Sequence, residues 1–165
     1  MSLNLKSKIN EDINSALKSG LSDVALTLRF LMSVIKNKEL EKRSRLSKDI
    51  KSQEELLKLS ELADEEVISV VFGEIKKRKE SIVQYESGGR GELAKKEAAE
   101  LEILKKYVPE EMSEEELRSI VKKKIGDIGE VTMNDFGKIM GSVMSEVKGR
   151  AGGELVKKII EEELK

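Results

Sequence analysis

The chain has 165 residues, of which 38% are charged and only 3% are aromatic, and its formal net charge is −1. The absence of His and Cys excludes imidazole bases, thiolate nucleophiles, disulfides and His/Cys zinc sites, so we expect no metal and no cofactor. Because 31 basic residues stand against 32 acidic ones, a positive field over the whole molecule that would hold nucleic acid by charge alone is also excluded.

Two helices are predicted at the start of the chain. Apolar residues recur at intervals of four over residues 4–19, which predicts a helix with one buried stripe that ends at Gly20. The stripe consists of Leu5, Ile9, Ile13 and Leu17. We expect Ser22 to cap the second helix, whose charged continuation after residue 35 indicates a solvated extension. Its predicted buried face consists of Val24, Leu28, Leu31, Met32 and Ile35.

An extra short helix is predicted near residues 53–62, because Ser52 and Glu55 have the spacing of a capping box. Its leucines are expected on one buried side, and they are Leu56, Leu59 and Leu62. Asp64 is expected to cap a longer helix, with a buried face of Val67, Val71, Ile75 and Ile82. A glycine-rich break at residues 87–91 separates it from a fourth main helix, which ends before Pro109.

Pro109 is the only proline, and it marks the best domain boundary in the sequence, because a residue before proline avoids the helical region. After it, Ser113 and Glu116 form a second capping box, and three short helices follow. No segment has a convincing strand pattern. The sequence therefore predicts an all-α fold with an N-terminal helical bundle over residues 1–108 and a C-terminal three-helix domain over residues 112–165.

The chain begins without an apolar signal segment and contains no run of eighteen apolar residues. Together with the absence of cysteine, these observations favour a soluble cytoplasmic protein that makes no membrane contact. No pair of positions has the pattern of a catalytic site, so we expect no catalytic residue in this chain.

A basic run is the first feature that could bind an anion. It consists of Lys76, Lys77, Arg78 and Lys79, four consecutive helical positions that sweep nearly the whole helix circumference. One interpretation is a solvated face next to Glu74 and Glu80. The other is an RNA-contacting patch shared with Lys36 and Arg43 on the second helix. In that same helix, Arg29 lies close to the apolar stripe, and we expect it to form a structural ion pair.

Small residues recur at intervals of four in the C-terminal part, at Gly137, Gly141 and Ser145. A glycine inside a helix costs about 1 kcal/mol relative to alanine, so some compensation is expected. Either a neighbouring helix packs closely against this edge, or a nucleic-acid backbone approaches it.

The loop over residues 148–153 leads into the last predicted helix and carries Lys148 and Arg150. Free amides at a helix start, together with two cations, suit a phosphate group. The spacing of a P-loop is absent. Phosphate contact and a plain glycine-rich connector are both open interpretations.

Several of these segments resemble the GatB/YqeY family, in the family's order and over nearly the whole chain. The resembling segments are residues 28–37, 64–67, 74–82, 99–109, 136–141 and 147–151. Two features depart from the family pattern. Residues 44–61 exceed the shorter connection of the family, and Gly152 replaces a polar residue that often caps the last helix.

The resemblance implies an all-α fold and a relation to the tail of the B subunit of the glutamine-dependent aminoacyl-tRNA amidotransferase. That tail helps the enzyme hold tRNA, and the label of carbon–nitrogen ligase with glutamine as amide donor would describe this association. The tRNA contacts implied by position are Lys138, Gly141, Lys148, Gly149 and Arg150. The expected partners are therefore tRNA or a protein of tRNA-dependent amidation or translation. A helical protein-interaction module without nucleic-acid binding is the alternative.

Overall fold

A computed structural model of the protein describes residues 4–129, 131–147 and 150–164. These residues form α-helices, one short 3-10 helix and connecting turns, and none of them forms a strand, which confirms the predicted all-α fold. The helices are α1 (Leu5–Lys18), α2 (Ser22–Leu46), α3 (Gln53–Ser60), α4 (Asp64–Ser87), α5 (Gly91–Lys105), α6 (Glu114–Ile128), the 3-10 helix Met133–Asp135, α7 (Phe136–Val147) and α8 (Gly153–Glu163). The chain divides into two compact units, Met1–Val108 and Pro109–Lys165.

The first helix shows why a repeat of four does not keep every residue buried. Ile9 and Ile13 are buried, but Leu17 is exposed and Ala16 is buried instead. Each step of four residues advances the side chain by roughly 40° beyond a full turn, so the predicted stripe rotates by roughly 120° between its ends. The prediction that Leu17 belongs to the core is therefore wrong.

The long second helix supplies the centre of the N-terminal unit. Its predicted residues Leu28, Leu31 and Ile35 are buried, whereas Val24 and Met32 are only partly buried. Leu21 rather than Ser22 occupies the N-cap position of α2, without a side-chain capping bond. Likewise, Ala63 rather than Asp64 occupies the N-cap position of α4. The core of this unit consists of Ile9, Ile13, Leu28, Leu31, Ile35, Leu62, Val67, Val71, Ile75, Leu101, Leu104 and Tyr107.

The extra helix α3 lies against the C-terminal half of α2. Leu56 and Ser60 face inward, and the Arg43 Nε–H donates to Ser60 Oγ at 3.2 Å. Leu59, which was expected in the core, is about half exposed. Residues 56 and 60 lie one turn apart and share the inner face, while residue 59 lies at its edge.

The C-terminal unit begins at Pro109 and holds α6, α7 and α8. Its predicted capping box forms in both directions, with Ser113 Oγ accepting from the Glu116 N–H and a Glu116 carboxylate oxygen accepting from the Ser113 N–H. Arg118 of α6 donates to Glu162 and Glu163 of α8, at 2.7 Å in each case. The core of this unit consists of Met112, Leu117, Val121, Ile139, Val143, Val147, Ala151, Val156, Ile159 and Ile160.

Removal of the Ser113 hydroxyl tests how much the capping box of α6 contributes to stability. Because Ser113 satisfies an amide of the first turn of α6, we expect Ser113→Ala to lower the free energy of unfolding of the C-terminal unit by about 1 kcal/mol. Amide hydrogen exchange of residues 114–121 measures the change. Ser119→Ala, at an exposed position inside α6, is the control. Equal protection of the two variants would show that the cap contributes nothing.

Tyr107 ties the end of α5 to α1 across 95 residues of sequence. Its hydroxyl donates to an Asp12 carboxylate oxygen at 2.6 Å, and the Lys8 ammonium lies 5.9 Å from the ring centroid. Burial, and then the bond to Asp12 and its charge, raise the pKa of Tyr107 above its ordinary value of about 10. The folded state therefore favours the neutral phenol.

This raised pKa predicts a dependence of stability on pH. The stabilisation by Tyr107 is complete below a pH of about 10, where the unfolded phenol is also neutral, and it decreases as the pH rises further. The free energy of unfolding lost in Tyr107→Phe should therefore be constant up to about pH 9 and shrink above it. Urea denaturation from pH 7 to pH 11 measures this, with Tyr85→Phe as the control. A constant difference over the whole range would exclude the proposed coupling.

Candidate functional site

The described C-terminal candidate residues lie on α7 and in the segment just before α8. Lys138 and Gly141 are exposed on α7, three residues apart and therefore on one face. Ser145 is exposed one turn further, and its hydroxyl donates to the Gly141 carbonyl at 2.9 Å. The predicted residues Lys148 and Gly149 lie outside the described residues. The structure thus brings Lys138 and Gly141 together on one face of α7.

The glycines of α7 are not explained by packing. No described atom lies within 4 Å of the position that a Cβ would take at Gly137 or Gly141. The interpretation that a neighbouring helix packs closely against these glycines is therefore wrong for this part of the chain. Gly141 lies inside α7, where a glycine lowers helix stability relative to alanine. Among the described atoms, no close contact that an alanine would block compensates for this loss.

Arg150 is partly buried and supports the fold of its own unit. Its Nε–H donates to the Glu110 carbonyl at 3.2 Å, and its own carbonyl accepts from the Met112 N–H at 2.7 Å. These bonds hold the segment before α6 against the segment before α8. A contact with phosphate would therefore use the remaining N–H groups of a guanidinium that is already positioned.

The last helix begins without a side-chain cap. Its N-cap residue is Gly152, as the departure from the family pattern suggested, and no side chain satisfies the first amides of α8. Glu154 lies in the first turn, where a carboxylate interacts favourably with the helix dipole. The start of α8 therefore presents amides to an anion, although Glu154 already offsets part of their positive potential.

Most other cations of this unit are paired with carboxylates. Lys157 lies 3.7 Å from Glu161, and Lys158 lies 3.9 Å from Glu162, each one turn along α8. On α6, Lys124 pairs with Glu146 at 2.6 Å. Glu161 and Glu162 thus offset the positive charge of Lys157 and Lys158.

The predicted secondary basic patch does not form a single surface. Lys36 is exposed and lines a groove of about 480 Å³ together with Lys6 of α1, whereas Arg43 points to Ser60 of α3. On α4, Lys76 and Lys77 are exposed, but Arg78 is only 8% exposed. The five residues Lys36, Arg43, Lys76, Lys77 and Arg78 therefore face different neighbours.

Arg78 belongs to a buried charge network that sequence reasoning missed. Its Nη1 donates to Glu74 at 3.2 Å, and its Nη2 donates to Glu100 of α5 at 2.9 Å. Glu74 is buried as well, and its second carboxylate oxygen accepts from Lys77 at 2.7 Å. The structural ion pair expected at Arg29 is thus found at Arg78. Arg29 itself is exposed and pairs with no residue that the structure describes.

A signal for this network was present in the periodicity of α4. Glu74 and Arg78 lie one turn apart, and Glu74 is adjacent to Ile75 and three residues after Val71, both buried. Opposite charges at this spacing on a buried face indicate an internal pair. The run of four basic residues concealed this signal, because it made Arg78 resemble its exposed neighbours.

An open groove of about 750 Å³ lies beside this network, between α2 and α5. Phe30 of α2 stands at its wall, with the guanidinium carbon of Arg78 5.5 Å from the ring centroid. Arg78 Nε is buried and has no hydrogen-bond partner among the described residues. Nothing in the sequence pattern pointed to this groove.

The described ranges 4–129, 131–147 and 150–164 contain no group of three or more acidic residues placed to hold a metal ion. None of their helices has both the length and the apolar character that crossing a membrane requires.

The chain matches the YqeY-like protein family over residues 6–164. It belongs to the YqeY family. This membership confirms the resemblance that the motifs indicated. The matched residues include both the α2–α5 groove and the α7 face.

Two relatives are each 31% identical to this YqeY-family chain over the residues that match. One, from Pyrenophora tritici-repentis, is named altered inheritance of mitochondria protein 41, mitochondrial, and its 158 matched residues cover 94% of this chain and 78% of the relative. The other is a Schizosaccharomyces pombe protein named as uncharacterized, whose 110 matched residues cover 67% of this chain and 76% of that protein.

Removal of one partner from the buried network should be costly. We expect Glu74→Ala to lower the free energy of unfolding by about 3–5 kcal/mol, because it leaves the buried Arg78 short of a carboxylate. Urea denaturation measures the effect. Lys77→Ala, which removes only the exposed member, should cost less than about 1 kcal/mol. A similar loss in both variants would contradict the assigned geometry.

The open face of α7 predicts a stabilising substitution. Gly141→Ala should raise the free energy of unfolding of the C-terminal unit by about 0.5–1 kcal/mol, because alanine favours the helix and meets no described atom. Gly129→Ala provides the contrast, since Gly129 has φ of +92° and alanine there is strained. Hydrogen exchange in α7 measures both changes. Destabilisation by Gly141→Ala would show that this face is covered.

Proposed function

We propose that this protein is a tRNA-binding module associated with tRNA-dependent amidation, with no active site of its own. The family resemblance and one structural observation support the proposal. Gly141 lies inside α7 on an open face beside the exposed Lys138, and no described atom occupies the space above it. A nucleic-acid backbone can approach such a face closely, because no Cβ stands between the phosphate and the helix.

The neighbouring loop adds groups of the same chemistry. The first amides of α8 have no side-chain cap, and Arg150 is held nearby in the chain by its bond to Glu110. Lys148 and Gly149 complete the proposed contact set with Lys138, Gly141 and Arg150. Helix amides and cations both bind phosphate oxygens.

Pairing of the other cations makes this a small site. Lys157 and Lys158 each lie near a carboxylate of their own helix. We therefore propose that the site contacts only a few phosphates. Binding by a few phosphate contacts is weak and strongly dependent on salt. A carbon–nitrogen ligase label would then describe the enzyme with which this module associates.

The test is a titration of the whole protein with total tRNA at two salt concentrations. We expect Lys138→Glu with Lys148→Glu to weaken binding about tenfold or more and to lower the slope of log affinity against log salt by about 1–2, since two phosphate contacts are lost. Gly141→Leu should weaken binding while leaving that slope nearly unchanged, because it blocks the approach without removing charge.

Lys122→Glu is the matched control, since Lys122 is an exposed lysine of α6 outside the proposed contact set. It should bind tRNA with nearly unchanged affinity. If all charge-reversal variants weaken binding equally, the effect comes from net charge, and the α7 surface is not the site. Full retention of binding in the double variant removes these residues from the proposal.

A helical protein-interaction module is the second candidate, and one observation favours it. Leu57 and Leu59 of α3 and Leu40 of α2 are each about half exposed, in or near the segment that exceeds the family's usual length. Replacement of Leu57 and Leu59 by Glu should abolish binding of a specific protein partner without changing tRNA affinity. The test compares nuclease-treated affinity purifications of the unchanged protein and of this double variant by quantitative mass spectrometry. Proteins recovered equally with both forms would not be partners of this surface.

Location stays a prediction of its own. We propose a cytoplasmic site of action on the sequence features alone, and the mitochondrial name belongs to the Pyrenophora tritici-repentis relative. Fractionation of the native host, followed by immunoblotting, tests it.

A further inference from the structure

The α2–α5 groove combines apolar walls with unmet hydrogen-bond donors. Leu26 and Phe30 of α2 are 63% and 50% exposed, and Ala99 and Ile103 of α5 stand across from them. Leu26 and Phe30 lie one helical turn apart, which is the spacing of two neighbouring contacts for a helix that lies along the groove. Thr27, between them, is buried and bonds back to the Asp23 carbonyl at 2.9 Å.

The floor of the groove contains a donor without an acceptor. Arg78 is 8% exposed, both of its Nη atoms donate to carboxylates, and its Nε is unpaired in the part of the chain that is described. A buried donor that lacks an acceptor costs about 1–3 kcal/mol. Phe30 lies over this guanidinium and is itself half exposed, so rotation of its ring would open Nε to an incoming oxygen.

Two donors of the groove, Arg78 Nε and Lys96, have no carboxylate partner among the described residues, and one carboxylate has no cation partner there. Three cations and three carboxylates line it, and two pairs are already formed: Arg78 with Glu100 at 2.9 Å and Lys95 with Glu92 at 3.0 Å. The remaining carboxylate, Asp23, lies in the first turn of α2, where the helix dipole stabilises it. The remaining cation is Lys96, which pairs with no described residue.

We propose that the α2–α5 groove docks an acidic amphipathic α-helix of a partner protein. The apolar face of that helix covers Leu26 and Phe30, and its carboxylate or carbonyl oxygens meet Lys96 and the Arg78 Nε–H. The lining residues of α5 run from Glu92 to Ile103, roughly 16 Å along the helix axis, which accommodates roughly three turns of a bound helix. This proposal concerns the N-terminal unit and is independent of the tRNA proposal.

The probe is a synthetic amidated peptide of about 14 residues, roughly four helical turns, with Leu spaced three and four apart and Glu on the flanks. A twin carries Lys in place of every Glu. Fluorescence anisotropy with the full chain measures affinity, and the Arg78 Nε–H resonance reports on the floor of the groove. We expect the acidic peptide to bind at least tenfold more tightly than its twin and to shift this resonance.

Variants locate the site. Leu26→Ala with Phe30→Ala should weaken binding of the acidic peptide about tenfold or more, because it removes both exposed apolar contacts. Lys96→Glu should weaken binding of the acidic peptide severalfold and strengthen binding of the twin peptide that carries Lys. Val83→Glu is the control at a 62% exposed apolar position outside the groove, and it should change nothing. All four positions are exposed, so circular dichroism should show unchanged folding.

Several results would overturn the proposal. They are an acidic peptide that fails to bind at about 1 mM, equal binding of the two peptides, equal affinity of the groove variant and Val83→Glu, or an unchanged Arg78 resonance at saturation. If a single-stranded oligonucleotide binds in a Phe30-dependent way and the peptide does not, the groove binds nucleic acid instead. None of these results affects tRNA binding that depends on Lys138 and Lys148, so the two proposals fail separately.

Discussion

The near-equal numbers of acidic and basic residues limit how much positive potential the helices of this protein can present. A cation on such a helix has a carboxylate one turn away in many positions, as Lys157 and Lys158 do on α8. Pairs of this kind contribute little to stability, but they cancel the positive potential that a polyanion would need. Lys96 forms no ion pair with a described carboxylate, so it stays available to an acidic partner.

The same pairing acts differently inside the helical bundle. Arg78 is removed from water, so its two carboxylate partners are required rather than incidental. The network joins α4 to α5, and its Arg78 guanidinium also lies over the ring of Phe30 on α2. Three helices of the N-terminal unit thus meet around one guanidinium. Arg78 Nε, which has no partner among the described residues, is the incomplete part of this arrangement, and it adjoins the α2–α5 groove.

The two surfaces proposed for binding differ in chemistry. The α7 face is open at Gly137 and Gly141 and carries the exposed Lys138. The α2–α5 groove has apolar walls, the unpaired Lys96 and the buried Arg78 Nε, which has no hydrogen-bond partner among the described residues.

The sequence by itself determined the all-α class and the approximate positions of the described helices, because caps, glycine stops and apolar periodicity act within a few residues. Its motifs also indicated the family. Tertiary structure decided which charged residues are buried. Arg78 lies inside and Lys77 outside because Glu100, 22 residues further on, accepts from Arg78 only once α5 packs on α4. It likewise decided that α7 leaves its glycines uncovered, since local sequence does not specify which neighbour a helix face receives.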